Sequence, residues 1–193
     1  LLQQIHEKLG TEVFAFYDDA LLYNKNEVFI PFLNAVIDGG MKFSFYLPNG
    51  IHLDFLDFNT AFLMKQAGFK EVRVGLESGD QHFHLSLDKK LDIENCKEKI
   101  EILRSAGFGP GEIGLYILAG LPGQYKSEVI ESLHFASKFG VRMYIAEYSP
   151  VPGSVLWDKS VKLSKYPLET EPLMHNNTIL PLEWEYFTYV DLQ

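Results

Sequence analysis

Cysteine is almost absent: the 193-residue chain holds one, Cys96. One thiol makes no internal disulfide and no multi-cysteine metal site, and it fits a reducing compartment, so a cytoplasmic protein is expected. Positive charge is also scarce, with 17 Lys and Arg against 26 Asp and Glu, a net charge of −9. That balance argues against a broad phosphate-binding surface and against nucleic acid as a partner. No apolar run approaches the roughly 18 residues of a membrane span, so no membrane partner is expected. No two histidines stand at H-x-x-x-H spacing, and a histidine-built metal site is not expected. What remains is 47% hydrophobic and 14% aromatic, a globular composition on a chain long enough to bury about 70% of its unfolded surface.

Five β-branched and aromatic runs recur at roughly 30-residue intervals, the length of a strand–helix–strand unit. They are 13–17, 42–47, 71–76, 113–118 and 142–148. Helical patterns fill the gaps. The first, 29–38, has Pro31 in its first turn and stops at Gly39-Gly40. The second, 57–67, stops at Gly68, and the third, 92–106, runs from an Asp cap to Gly107. The fourth, 127–139, runs from a Ser cap to Gly140. Alternation of this kind predicts a parallel sheet with right-handed crossovers. A formal G-x-G-x-x-G, Gly109 to Gly114, precedes a strand instead of following one, so it reads as a helix cap and turn and not as a dinucleotide loop.

Each strand run ends in polar residues that a plain connection does not require: Asp18-Asp19, Asn49 with His52, Glu77-Ser78, Gly120 with Gln124, and Glu147-Tyr148-Ser149. In parallel α/β folds the ligand lies beyond the carboxyl ends of the strands, so these five ends converge on one mouth. Arg73, Gly75 and Glu77 share a strand face by the period of two, which makes Arg73 either an internal ion-pair partner of Glu77 or a ligand clamp.

The ordered set YDDA, PNGIH, VRVGLES, YILAGLPGQ and AEYSPVPG resembles the core of the radical S-adenosylmethionine enzymes, and most nearly those with an upstream cobalamin-binding domain. The resemblance spans residues 13–157. It implies an α/β fold: a partial TIM-like (βα) barrel, residues 1–157, with five of an expected six parallel strands and a C-terminal appendage over 158–193. It also implies an enzyme that uses S-adenosylmethionine, a 4Fe–4S cluster and, in that branch, cobalamin to make a 5′-deoxyadenosyl radical for a small-molecule substrate. By the same resemblance Asp18 and Asp19 match the residues that hold the methionine ammonium, with D-D where G-G-E is usual. Glu77 and Ser78 match the ribose and carboxylate contacts. Leu118 and Gly120 fall on the Ile and second Gly of G-x-I-x-G-x-x-E, the adenine segment. Tyr116 replaces the first Gly of that motif, Gly123 replaces its Glu, and Gln124 is the candidate stand-in. Tyr148 and Ser149 would close over the adenine, and Asn49 and His52 would face the cofactor or substrate.

The family's C-x-x-x-C-x-x-C cluster loop is not in these residues. Cys96 falls with Ile93, Ile100 and Leu103 on one helical face, which is core spacing. The first strand and cluster loop are expected before Leu1, with the helix at 1–9 as the tail of the first crossover. Strand 13–17 would then expose unpaired backbone and invite self-association. Beyond residue 155, only 182–192 reads as a helix. Two other classes fit the residues: a TIM-like lyase or aldolase using Asp18, Asp19, Glu77 and Glu147 as a metal site, and a non-catalytic scaffold.

Overall fold

The computed structural model describes residues 1–18, 20–76 and 93–192. Five strands form one sheet: β1 (Val13–Ala15), β2 (Ser44–Tyr46), β3 (Phe69–Leu76), β4 (Ile113–Ala119) and β5 (Arg142–Glu147). Their spatial order follows the chain, β1-β2-β3-β4-β5, and every pairing is parallel. That order discriminates between architectures. A doubly wound sheet reverses direction at a switch point, whereas same-handed crossovers that always step the same way put all helices on one face and curl the sheet into a barrel wall. The chain is a partial (βα) barrel.

Among the described residues six helices accompany the strands: α1 (Leu2–Leu9), α2 (Phe29–Asp38), α3 (Phe58–Ala67), α4 (Ile93–Ser105), α5 (Lys126–Ser137) and α6 (Trp157–Leu163). The boundaries of α3 follow from local chemistry. Asp57 caps its start by accepting the Thr60 N–H at 2.7 Å, and Gly68 ends it at φ +105. Glycine is needed there twice over, because an added Cβ would lie 2.2 Å from the Phe43 carbonyl oxygen. Three expectations are corrected. Helix α6, Trp157–Leu163, stands in the stretch where only 182–192 reads as a helix. The N-cap of α5 is Tyr125 and not Ser127, because Glu128 reaches back to the Tyr125 N–H at 2.5 Å and does the work of a capping hydroxyl. The expected helix over 182–192 is a tight turn bridged between Trp184 and Phe187, followed by a short 3-10 turn, Tyr189–Leu192. Burying Leu182 and Phe187 while Trp184 makes a directed hydrogen bond overrides helical propensity. The Asp92 cap lies outside the described residues.

Alternate residues of each strand divide the molecule. Phe45, Phe69, Val72, Val74, Ile113 and Leu115 are buried beneath the helices, joined by a ring network in which Phe16 stacks on Phe69 at 5.8 Å. The opposite residues form the concave inner face. Cys96 is 0% exposed in the helical layer with Ile100 and Leu103, as its spacing predicts. Among the described residues no helix is long and apolar enough to cross a membrane.

Candidate functional site

The lower part of the concave face is closed by a polar layer. Register places Arg73 opposite Gly114, Gly75 opposite Tyr116, and Tyr116 opposite Tyr144, so these side chains meet inside the sheet. Glu71, only 7% exposed, accepts from Arg73 Nε at 3.1 Å and Nη2 at 2.9 Å, and from Tyr144 Oη at 2.6 Å. Arg73 Nη1 donates to Tyr116 Oη at 2.7 Å, and Tyr116 donates onward to the Pro48 carbonyl at 2.7 Å. The guanidinium also lies 4.3 Å from the Tyr144 ring centre, a cation–π contact. Burial opposes the charge on Glu71, but the Tyr144 hydrogen bond and then Arg73 outweigh it, holding the carboxyl below its usual 4.5. Among the described residues Arg73 is an ion-pair partner of Glu71, two residues before it on the same face. The expected partner, Glu77, lies outside the described residues. Tyr116, which stands where the family pattern has glycine, is therefore a strut tying β4 to β3 and to the loop after β2.

Above this layer, toward the carboxyl ends, the inner face is small and apolar. Leu118 pairs in register with Ala146, and a Cβ added at Gly75 would meet nothing within 4 Å. The result is an open shelf on polar struts, a surface suited to a flat heteroaromatic ring. Asp18 is exposed at the end of β1, where one carboxylate oxygen accepts the Ala20 N–H at 2.7 Å. Asn49 is half-buried in the loop after β2; Ile51 re-enters the sheet by donating its N–H to the Arg73 carbonyl at 2.8 Å. Exposed His52 makes an edge contact with Phe55. Gly120 is buried at φ +83. Tyr148 and Ser149 are half-buried beyond β5, with Tyr148 Oη 3.4 Å from Ser160 Oγ on α6. Asp19, Glu77 and Ser78 lie outside the described residues.

Gln124 is not positioned as the stand-in ligand. Its amide is turned inward, onto the backbone of the turn after β4. No spacing rule indicates this, because the bond returns four residues along a loop. Glu147 is in register with buried Ala119 and so lies on the helix-facing side of β5, away from the shelf. Among the described residues no group of three or more His, Cys, Asp or Glu side chains is placed to hold a metal. A cavity of about 340 Å³ lies at the opposite, amino end of the sheet, between His6, Glu12, Gly40 and Phe43. It is remote from the carboxyl ends, where ligands of parallel α/β folds bind.

The residues fit the expected cofactors unequally. An apolar shelf on β3–β5 and an exposed carboxylate, Asp18, after β1 suit the two ends of S-adenosylmethionine, a flat adenine and an ammonium. A 4Fe–4S cluster needs several thiolates; the single thiol here is buried, and burial pushes it up to about 12. These residues do not fit the cluster.

The family model of the radical SAM superfamily matches residues 1–136. Solved structures with similar folds include a radical S-adenosylmethionine methyltransferase from Kitasatospora setae, solved with cobalamin and a 4Fe–4S cluster. Its TM-score is 0.65 at 12% identity, covering 86% of this chain and 32% of that one. Methylornithine synthase gives 0.59 at 15% identity, covering 81% and 47%. Coproporphyrinogen III oxidase from Escherichia coli, itself described as a radical SAM enzyme, gives 0.55 at 14% identity, covering 71% and 32%. The chain thus spans about a third to just under half of these proteins, and at such identities the likeness is one of fold. No curated protein sequence matches the chain.

Proposed function

The chain belongs to the radical SAM superfamily, and from that premise we propose that it is the S-adenosylmethionine-binding core of an enzyme of radical chemistry. The observation that carries the proposal is the shelf of Gly75, Leu118 and Ala146 at the carboxyl end of a sheet whose sequence matches the superfamily. Asp18, Leu118, Gly120 and Ala146 would hold S-adenosylmethionine, which would supply the radical chemistry of the whole enzyme.

This chain's own residues do the holding. Asp18 accepts hydrogen bonds from the methionine ammonium, a charge-assisted contact. Leu118 and Ala146 cover one face of the adenine and exclude water from it. Gly120 turns the chain at φ +83 beneath Leu180, whose Cδ1 would lie 2.6 Å from any Cβ there. Asn49, and Tyr148 with Ser149, bound the mouth. The Glu71–Arg73 layer closes the floor, so the adenine cannot sink deeper. Likeness of fold to the cobalamin-bearing methyltransferase supports a place in the cobalamin-associated branch.

Calorimetric titration with S-adenosylhomocysteine tests the reading. The chain is expected to bind it, Asp18→Asn to weaken binding about tenfold through loss of one charge-assisted contact, and Leu118→Asp to abolish it. Absence of binding by the folded parent chain overturns the proposal. Anaerobic treatment with iron and sulfide is expected to leave the chain without a stoichiometric cluster, because one buried thiol supplies too few ligands.

A further inference from the structure

The turn that closes β4 is held by a side chain that meets the shelf only through backbone, at the Leu118 carbonyl. Gln124 is 2% exposed. Its Oε1 accepts the Gly120 N–H at 2.8 Å and the Leu121 N–H at 3.2 Å, while Nε2 donates to the Leu118 carbonyl at 3.3 Å. One amide thus satisfies three backbone groups around a glycine at φ +83. A glycine in that region has wide conformational freedom, and these bonds, with the Tyr148 N–H donating to the Ala119 carbonyl at 2.8 Å, give its peptide groups a fixed direction.

The same turn is braced from outside by the C-terminal segment. Trp184 Nε1 donates to the Gln124 carbonyl at 2.8 Å, and the Lys126 N–H donates to the Tyr186 carbonyl at 3.3 Å. Phe187 is buried against Ala119 and Val129. Leu180, fully buried and itself at φ +47, puts its Cδ1 2.6 Å from where a Cβ at position 120 would stand. All four bracing residues lie beyond position 136, where the superfamily match ends.

We propose that the Leu180–Phe187 segment, acting through Gln124, is the positioning element of the S-adenosylmethionine site. It sets the backbone of Leu118–Gly120 against the adenine without touching the cofactor. The segment 158–193 is then a working part of the barrel's site and not an appendage. The inference rests on the cofactor reading above. Its physical basis is preorganisation: a glycine turn ordered before binding spares the ligand the entropy of ordering it.

The test uses the 193-residue chain with Gln124→Met, Gln124→Glu and Trp184→Phe, each checked for folding by circular dichroism. Two quantities are read: amide hydrogen exchange at Gly120 and Leu121, and affinity for S-adenosylhomocysteine. Gln124→Met keeps volume and loses the acceptor. It is expected to speed exchange at those two amides, and to raise Kd, about tenfold each, the effect of losing one to two buried hydrogen bonds. Amides of β1–β3 stay unchanged. The neutral carboxyl of Gln124→Glu offers an oxygen to both N–H groups and a donor to the Leu118 carbonyl, so at pH 5 both readouts should stay within about threefold of the parent. Trp184→Phe keeps the ring, loses the donor, and should weaken binding about threefold. A folded Gln124→Met protein with parental exchange or parental Kd overturns the positioning role alone. A parent chain that binds no S-adenosylhomocysteine overturns the cofactor reading instead, and the exchange data then stand apart from it.

Discussion

Arg73 grips a single oxygen of Glu71 through two nitrogens, Nε at 3.1 Å and Nη2 at 2.9 Å, across one strand repeat of β3. The pair sits on the floor of the concave face, with Glu71 nearly buried. Removing Arg73 leaves Glu71 with only the Tyr144 hydroxyl and the more distant Arg142, whose Nη1 stands 3.9 Å away. Arg73→Met is expected to cost about 2–3 kcal/mol, below the full range for a buried pair because Arg73 is partly solvated. The double variant Arg73→Met/Glu71→Leu should recover most of that loss, because neither charge is left unpaired. Urea denaturation of the four members of the cycle measures the coupling; additive losses would refute it.

The same pair sets an acid response. Burial raises the Glu71 carboxyl, but Tyr144 and then Arg73 lower it further, so the folded group titrates below the ordinary 4.5. A depressed folded pKa contributes stability that is fully present above the unfolded value and is lost as pH falls through the folded one. The urea midpoint should therefore fall as pH drops from the ordinary carboxylate range through the folded group's lower pKa. Glu71→Gln should be less stable at neutral pH and flatter across that window. Parallel curves for the two proteins would exclude Glu71 as the source.

Cys96 offers a chemical probe of the helical layer. Its thiol is fully buried and pushed up to about 12, leaving about one part in ten thousand as thiolate at pH 8. Ellman's reagent is expected to find no reactive thiol in the native chain and one per chain in guanidinium chloride. Rapid labelling of the native protein would show that α4 opens readily.

β1 carries an association prediction. Its Phe16 N–H and Glu12 carbonyl bond to β2, so by alternation the Val13 and Ala15 backbone groups point to the outer edge. No second strand pairs there among the described residues. Val13 and Tyr17 are 60% and 74% exposed beside it. We propose that this edge pairs with a second copy, giving concentration-dependent dimers in sedimentation velocity. Val13→Lys should keep the chain monomeric, since a charge on an edge strand blocks docking. A parent chain monomeric at the highest attainable concentration rules the pairing out.

The sequence by itself determined the repeat of strand and helix, the α2 and α3 boundaries marked by Gly39-Gly40, Asp57 and Gly68, and the burial of Cys96. These rest on local chemistry and on periodicity, which sequence carries directly. It also marked the strand ends as the place to look, with Asp18, Asn49 and Gly120 among them. Tertiary structure alone decided which polar groups meet. Arg73 reaches Glu71 by the period of two within β3, but strand register gave Tyr144 to Glu71 and made Tyr116 a strut, and loop closure turned Gln124 inward. The demand to bury Leu182 and Phe187 folded the C-terminal segment as a brace where helical spacing had pointed to a helix. A face is a property of one element, whereas a partner depends on how two elements slide against each other, and no spacing rule within either one encodes that.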